Sequence, residues 1–182
     1  MRLGASALAD GLEFQAYAAL IGICANPAPD DGETPMPTYV CYTAADRLTA
    51  EQRSRIATAI TTAHSEEALA PRYLVQVMFQ EFGPSRNYIG GAPVPSRQFW
   101  VRGDIRSGRT DAQRTRLQLR IAREVGEIAG SSPSDMWVYI NELLPVNMVE
   151  FGHVLPQPGH ENEWLGQLPK DLREHLTKLE NS

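Results

Sequence analysis

Two stretches of the chain repeat one pattern of apolar and polar positions. In the first, Thr38–Thr43 is a short apolar run, a helical period follows from Thr49 to about His64, and Leu74–Phe82 alternates with Val75, Val77 and Phe79 on one side. In the second, Phe99–Asp104 predicts a strand, Thr110 to about Ala129 a helix, and Asp135–Asn141 another strand. Each helix opens on Thr-x-x-Gln, Thr49 to Gln52 and Thr110 to Gln113, a spacing that lets two side chains satisfy orphan N–H groups of the first turn. The two openings lie 61 residues apart, and the same offset carries Val75, Val77 and Phe79 onto Met136, Val138 and Ile140. Ile56, Ile60 and Ala63 line one helix face; Leu117, Ile121, Val125 and Ile128 line the other.

The pattern predicts an α/β chain of the two-layer α+β kind, a duplicated β-α-β domain with units at 37–82 and 98–141. Its four-stranded sheet carries both helices on one face. Parallel pairs are normally covered on both faces, so the bare face predicts self-association into a small ring. The segment 145–182 adds a Pro- and Gly-rich run (Val154–Glu161) and an amphipathic helix near Asp171–Leu179, suited to packing on a neighbour.

Residues 1–35 read as an appendage to a domain at 36–182. An Ala-rich stretch leads into Asn26–Pro35, where prolines and carboxylates argue against a packed role. The longest apolar run, Ala16–Ala25, is about half of what a membrane helix needs. Asp10 and Glu13 before it, and the lack of a small-x-small site after it, read against a signal peptide. Cys24 and Cys41 form neither a disulfide framework nor a metal-ligand spacing, which predicts a cytoplasmic protein without metal or cofactor.

Length and charge narrow this further. At 182 residues and 42% hydrophobic content the chain suits one domain, and a net charge of −5 argues against phosphate-driven nucleic-acid binding. Of its 17 basic residues only Lys170 and Lys178 are lysines, and seven arginines fall between Arg102 and Arg123. Arg114, Arg116, Arg120 and Arg123 read as a solvated helix face. Arg106 and Arg109 flank Ser107-Gly108 in the predicted loop before Thr110, where a helix N-terminus adds positive potential. They are ordinary loop arginines or a clamp for a carboxylate.

Other candidates are weaker one by one. Glu150 reads as a surface carboxylate, His64 as a residue favoured by a helix C-terminus, and Tyr139 as a buried tyrosine with one hydrogen bond. His153, His160 and Glu161 match no metal-ligand pattern. Met36-Pro37 is different. If translation began at Met36, methionine removal would expose Pro37 as a secondary amine. Such a group titrates near about 8, lower beside arginine cations, and is poised for proton transfer.

Together these residues resemble the tautomerase superfamily, and in detail the cis-3-chloroacrylic acid dehalogenase family. The motifs are Pro37-Thr38-Tyr39, Asp46-Arg47-Leu48-Thr49, Ala63-His64, Phe79-Gln80-Glu81, Gly90-Gly91, Arg106-Ser107-Gly108-Arg109, Trp137-Val138-Tyr139, Met148-Val149-Glu150 and Leu155–Glu161. The resemblance implies that Pro37 transfers a proton, that Arg106, Arg109 and His64 bind a substrate carboxylate, and that Glu150, assisted by Tyr139, activates water. It also implies a homotrimer, with Tyr139 supplied across a subunit boundary. The extension before Pro37, and the two prolines of Ala92–Arg97, depart from the family pattern.

The leading expectation is an enzyme that hydrates, and so dehalogenates, small unsaturated carboxylates such as cis-3-haloacrylates. A keto–enol tautomerase of 2-oxo acids such as phenylpyruvate is the alternative, and Glu150 favours hydration because a one-base tautomerisation needs no water activator. A third reading is a non-catalytic trimer with an anion-binding pocket, if Pro37 stays internal. Neither nucleic acid nor membrane is an expected partner.

Overall fold

The computed structural model describes residues 37–157 and 159–181. Residues 1–35, read above as an appendage, and Met36 lie outside the described residues. In chain order the elements are β1 (Pro37–Ala44), α1 (Ala50–Glu67), β2 (Gln76–Phe82), a small hairpin of β3 (Tyr88–Ile89) and β4 (Ala92–Pro93), β5 (Phe99–Arg106), α2 (Asp111–Ala129) and β6 (Met136–Leu143). A second hairpin of β7 (Val149–Glu150) and β8 (His153–Val154) leads to α3 (Glu161–Gln167) and α4 (Lys170–Glu180). The main sheet has the order β2-β1-β5-β6. Its outer pairs, β1 with β2 and β5 with β6, are parallel, and the central pair is antiparallel.

Both helices start where their capping boxes place them. Thr49 and Thr110 accept the backbone N–H groups of Gln52 and Gln113, whose side chains accept in return from the cap N–H groups. The first helix continues past His64 to Glu67, and the second stops at Gly130, whose φ of 66° is left-handed. Ile56, Ile60, Leu117, Ile121 and Val125 pack from the helices onto Tyr39, Cys41, Phe99, Val101 and Ile105 of the central strands. The two-layer duplicated fold is the predicted one.

The internal repeat is less uniform than the 61-residue offset suggests. Thr38 pairs with Gln76, whereas Phe99 pairs with Met136, so the first strands superpose at one residue more than the second strands do. The extra residue lies in the connection 45–49, against 107–110 in the second unit, where Asp46 takes a φ of 58°. Asp tolerates that left-handed conformation better than most residues. Because Tyr39–Tyr42 is apolar at every position, its sequence marks no face and hides the shift.

Two further expectations need correction. Arg106 is the last residue of β5 rather than part of a loop, because β6 extends to Leu143 and pairs with it. The arginines of α2 are not simply solvated. Arg120 bridges to Glu66, Glu67 and Glu124 at 2.7, 3.3 and 2.9 Å, and Arg116 reaches Glu67 at 3.2 Å, so the charges lace the two helices together. Helix α4 packs on its own chain through one face. Its Leu176 joins Tyr73, Leu74, Met148, Leu155 and Trp164 in a second core, which draws the C-terminal segment against the end of the sheet.

The sheet face without helices bears an aromatic ladder. Phe82 stacks on Tyr42, Tyr42 on Trp100 at 4.5 Å between centroids, Trp100 meets Tyr139 edge-on at 5.5 Å, and Tyr139 stacks on Trp137. Trp137, Tyr139 and Met78 remain exposed there.

Candidate functional site

The antiparallel central pair brings the start of β1 to the end of β5. Pro37 pairs with Ile105, next to Arg106, and a proline fits at the first position of a strand because its missing N–H is not needed by the ladder. On the helix side of the same end, Tyr39 and His64 are fully buried, and the Tyr39 hydroxyl meets His64 Nδ1 at 2.8 Å. Burial raises the Tyr39 phenol well above its ordinary pKa, with the Arg109 charge acting in the opposite sense. His64 is therefore an interior residue rather than a free helix-end group.

Gly103 makes that contact sterically feasible. A Cβ there would lie 2.5 Å from Tyr39 Cε1 and 3.0 Å from Ile140 Cδ1. Gly103→Ala is expected to push the Tyr39 ring off His64 and destabilise the fold by about 1–3 kcal/mol. Gly166→Ala, within a helix and facing open space, is expected to be neutral or stabilising. Urea unfolding of the two variants checks the contrast.

Arg106 and Arg109 are both buried. The Arg106 guanidinium donates to the Pro156 carbonyl and forms an ion pair with Glu161. Arg109 donates to the Arg106 carbonyl at 3.2 Å and to that of Ala68, which caps α1, at 3.4 Å. Its own backbone N–H approaches Glu142 at 3.4 Å. Burial and then the Arg106 charge push Arg109 down to about 9, which leaves it a cation at neutral pH. Two cations thus share one end of the sheet, and the carboxylates of Glu161 and Glu142 are their neighbours.

Glu150 closes β7, just before a tight turn in which Phe151 and Gly152 take φ values of 51° and 80°. Positive φ at both central positions is what a two-residue hairpin turn needs. Phe151 adopts this conformation at a steric cost that a glycine would avoid. Glu150 is half-buried rather than a free surface group. Burial raises its carboxyl pKa, while the Arg106 charge pulls it down. It lines a cleft of about 610 Å³ together with Thr38, Tyr73, Gln76 and Met148. Burial, Glu180 and Glu161 push the Tyr73 phenol up to about 12.

The structure thus gathers Pro37, His64, Arg106, Arg109 and Glu150 at one end of the sheet. Tyr139 stands apart. Through Arg102 it aligns with Val40, two strands and three residues from Pro37, on the order of 14 Å away. It is also half-exposed on the open sheet face, not buried as expected, because its position in β6 alternates with the core-facing Val138 and Ile140. Tyr39, Tyr73, Glu142 and Glu161 were missed as neighbours of the site. Only Tyr39 and Glu161 fall within the motifs quoted above. His160 pairs with Glu163 at 3.1 Å while Glu161 turns to Arg106, so the two side chains serve different partners.

Comparison with known proteins follows the same outline. Residues 36–167 match the family model described as putative oxalocrotonate tautomerase enzyme. The crystal structure of N1, a member of the cis-3-chloroacrylic acid dehalogenase family, is 39% identical, with a TM-score of 0.75 over 78% of this chain and 99% of N1. Native Ps01740 is 27% identical, with a TM-score of 0.59 over 62% of this chain and 99% of its own. An asymmetric trimer of fused 4-OT, 20% identical with a TM-score of 0.60 over 64% of this chain and 94% of its own, shares the fold. No curated protein matches the chain.

Proposed function

Because the chain belongs to the tautomerase superfamily, and within it to the cis-3-chloroacrylic acid dehalogenase family, we propose that it is an enzyme of small unsaturated carboxylates that hydrates cis-3-haloacrylate-like acids. The observation that carries this reading is Glu150, a carboxylate whose burial raises its proton affinity, lining a cleft within the field of Arg106. A tautomerase working through one base has no use for such a group.

In this reading Arg106, Arg109 and His64 hold the substrate carboxylate, and the cationic pair draws electron density from the conjugated double bond. Glu150 takes a proton from water as the hydroxyl oxygen bonds to the halogen-bearing carbon. The π electrons move toward the carboxylate, and protonated Pro37 delivers its proton to the carbon beside that carboxylate. The halohydrin then loses halide and a proton to give an aldehyde acid.

The proline must be the amino terminus, so the working domain starts at Pro37 and the preceding residues are removed or never made. Three copies join through the aromatic ladder. That contact covers an apolar patch and brings Tyr139 to a neighbouring subunit's Glu150. The free thiol of buried Cys41 suits a reducing cytoplasm, and no described helix is long and apolar enough to cross a membrane.

The protein beginning at Pro37, incubated with 3-haloacrylates, propiolate analogues and phenylpyruvate, tests the reading. Halide release from cis-3-haloacrylates is expected. Turnover of phenylpyruvate alone would assign it as a keto–enol tautomerase instead.

A further inference from the structure

Two carboxylates act on Arg106. One is Glu161, which contacts it; the other is Glu150, which is coupled to it by charge. Arg106 is fully buried and Glu161 is 6% exposed, so the pair sits in the low-dielectric interior where a cation is drawn strongly to any carboxylate in reach. Glu161 opens α3, whose Trp164, with Leu168 just past its end, is anchored in the second core. The Pro156 carbonyl, from the same C-terminal segment, accepts from a second guanidinium nitrogen. The guanidinium is thus held from one side by a segment that is itself fixed by packing.

We propose that Glu161 is a positioning residue that anchors Arg106 against the C-terminal segment and keeps it from pairing with Glu150, so that Glu150 stays available as a base. This rests on the reading of Glu150 given above. Glu150 is the other carboxylate whose charge acts on Arg106, and so the one the guanidinium is expected to turn to without Glu161. A direct pair would favour the ionised Glu150 and weaken it as a proton acceptor. The charged and titratable groups facing this trio are Arg109 on the Arg106 side, Tyr73 in the cleft wall with Glu180 behind it, Glu142 beside Arg109, and His153 opposite Glu150 in the β7–β8 pair.

Glu161→Gln, in the protein that begins at Pro37, tests this. Two readouts are followed: the ionisation of Glu150 by ¹³C-carboxyl NMR, and the pH profile of kcat/KM. Glu150 is expected to titrate about one pH unit lower, a tenfold loss of proton affinity, and the acid limb of the profile to move with it. Glu161→Asp keeps the charge at a shorter reach and is expected to lower the Glu150 titration by clearly less than Glu161→Gln does. A purely structural role for Glu161 would lower the yield or the melting temperature and leave Glu150 where it was, which overturns the proposal. If Glu161→Gln does not fold, Glu161→Asp decides alone. Its shorter reach is expected to move Glu150 part of the way down, and an unmoved titration overturns the proposal. A shift in the NMR titration with no shift in the rate profile would leave the anchor standing and remove Glu150 from its assigned role.

Discussion

Replacing Pro37 by Ala in a protein that begins at residue 37 is expected to lower turnover by about 10²–10⁴-fold, the usual contribution of a positioned proton-transfer group. An amino-terminal proline offers a secondary amine with a pKa near about 8, so at neutral pH most of it carries the proton that hydration requires. Alanine leaves a primary amine in the same place, without the ring that fixes its direction. The chain that retains residues 1–36 is expected to give no turnover by this route, because an internal proline nitrogen is an amide. Intact mass of the protein from its native host, together with activity of both forms, checks this. A mass beginning at Met1 with full activity would sink the proline mechanism. Circular dichroism and native mass of Pro37→Ala should match the parent, since the residue lies at the end of a strand and gives no N–H to the ladder.

Glu150→Gln is expected to remove hydration of 3-haloacrylates by about 10²–10⁴-fold while sparing any tautomerisation of 2-oxo acids. The amide keeps the size of the side chain and cannot take a proton from water. The sign of the pH dependence follows from the environment. Glu150 works only when ionised, and burial raises its pKa above the ordinary carboxylate value of about 4.3. The rate is therefore expected to fall as pH drops through that raised value, at a higher pH than an exposed glutamate would give. The Gln variant should lose this acid limb. Equal loss of both activities would undo the division of roles between Glu150 and Pro37.

The paired arginines show where local reading succeeds and where it stops. Arg106 and Arg109 stand out because they lie three residues apart before a helix cap, and that spacing is visible in the chain. Their settings are not. Arg106 reads as a loop residue and is the end of a strand; it reads as an open clamp and already holds Glu161, 55 residues away. Tyr139 belongs to an apolar run that suggests burial, yet the alternation of β6 points it to the open face of the sheet. Which face is open depends on where both helices pack, and residues 136–143 carry no record of that.

By itself the sequence determined the elements and their repetition. Capping boxes, helical stripes and alternating strands are set by backbone hydrogen bonding and side-chain direction within a few residues, so they survive without knowledge of the rest. It also placed Pro37, Arg106, Arg109, His64 and Glu150 on the list of chemistry-bearing residues. Only the tertiary structure decided that these five share one end of the sheet, that Tyr39 reaches His64 over Gly103, and that the C-terminal segment grips Arg106 through Glu161. Those contacts join residues 25 to 64 positions apart. The energy of a buried charge or hydrogen bond depends on everything packed around it, which no local window of the chain contains.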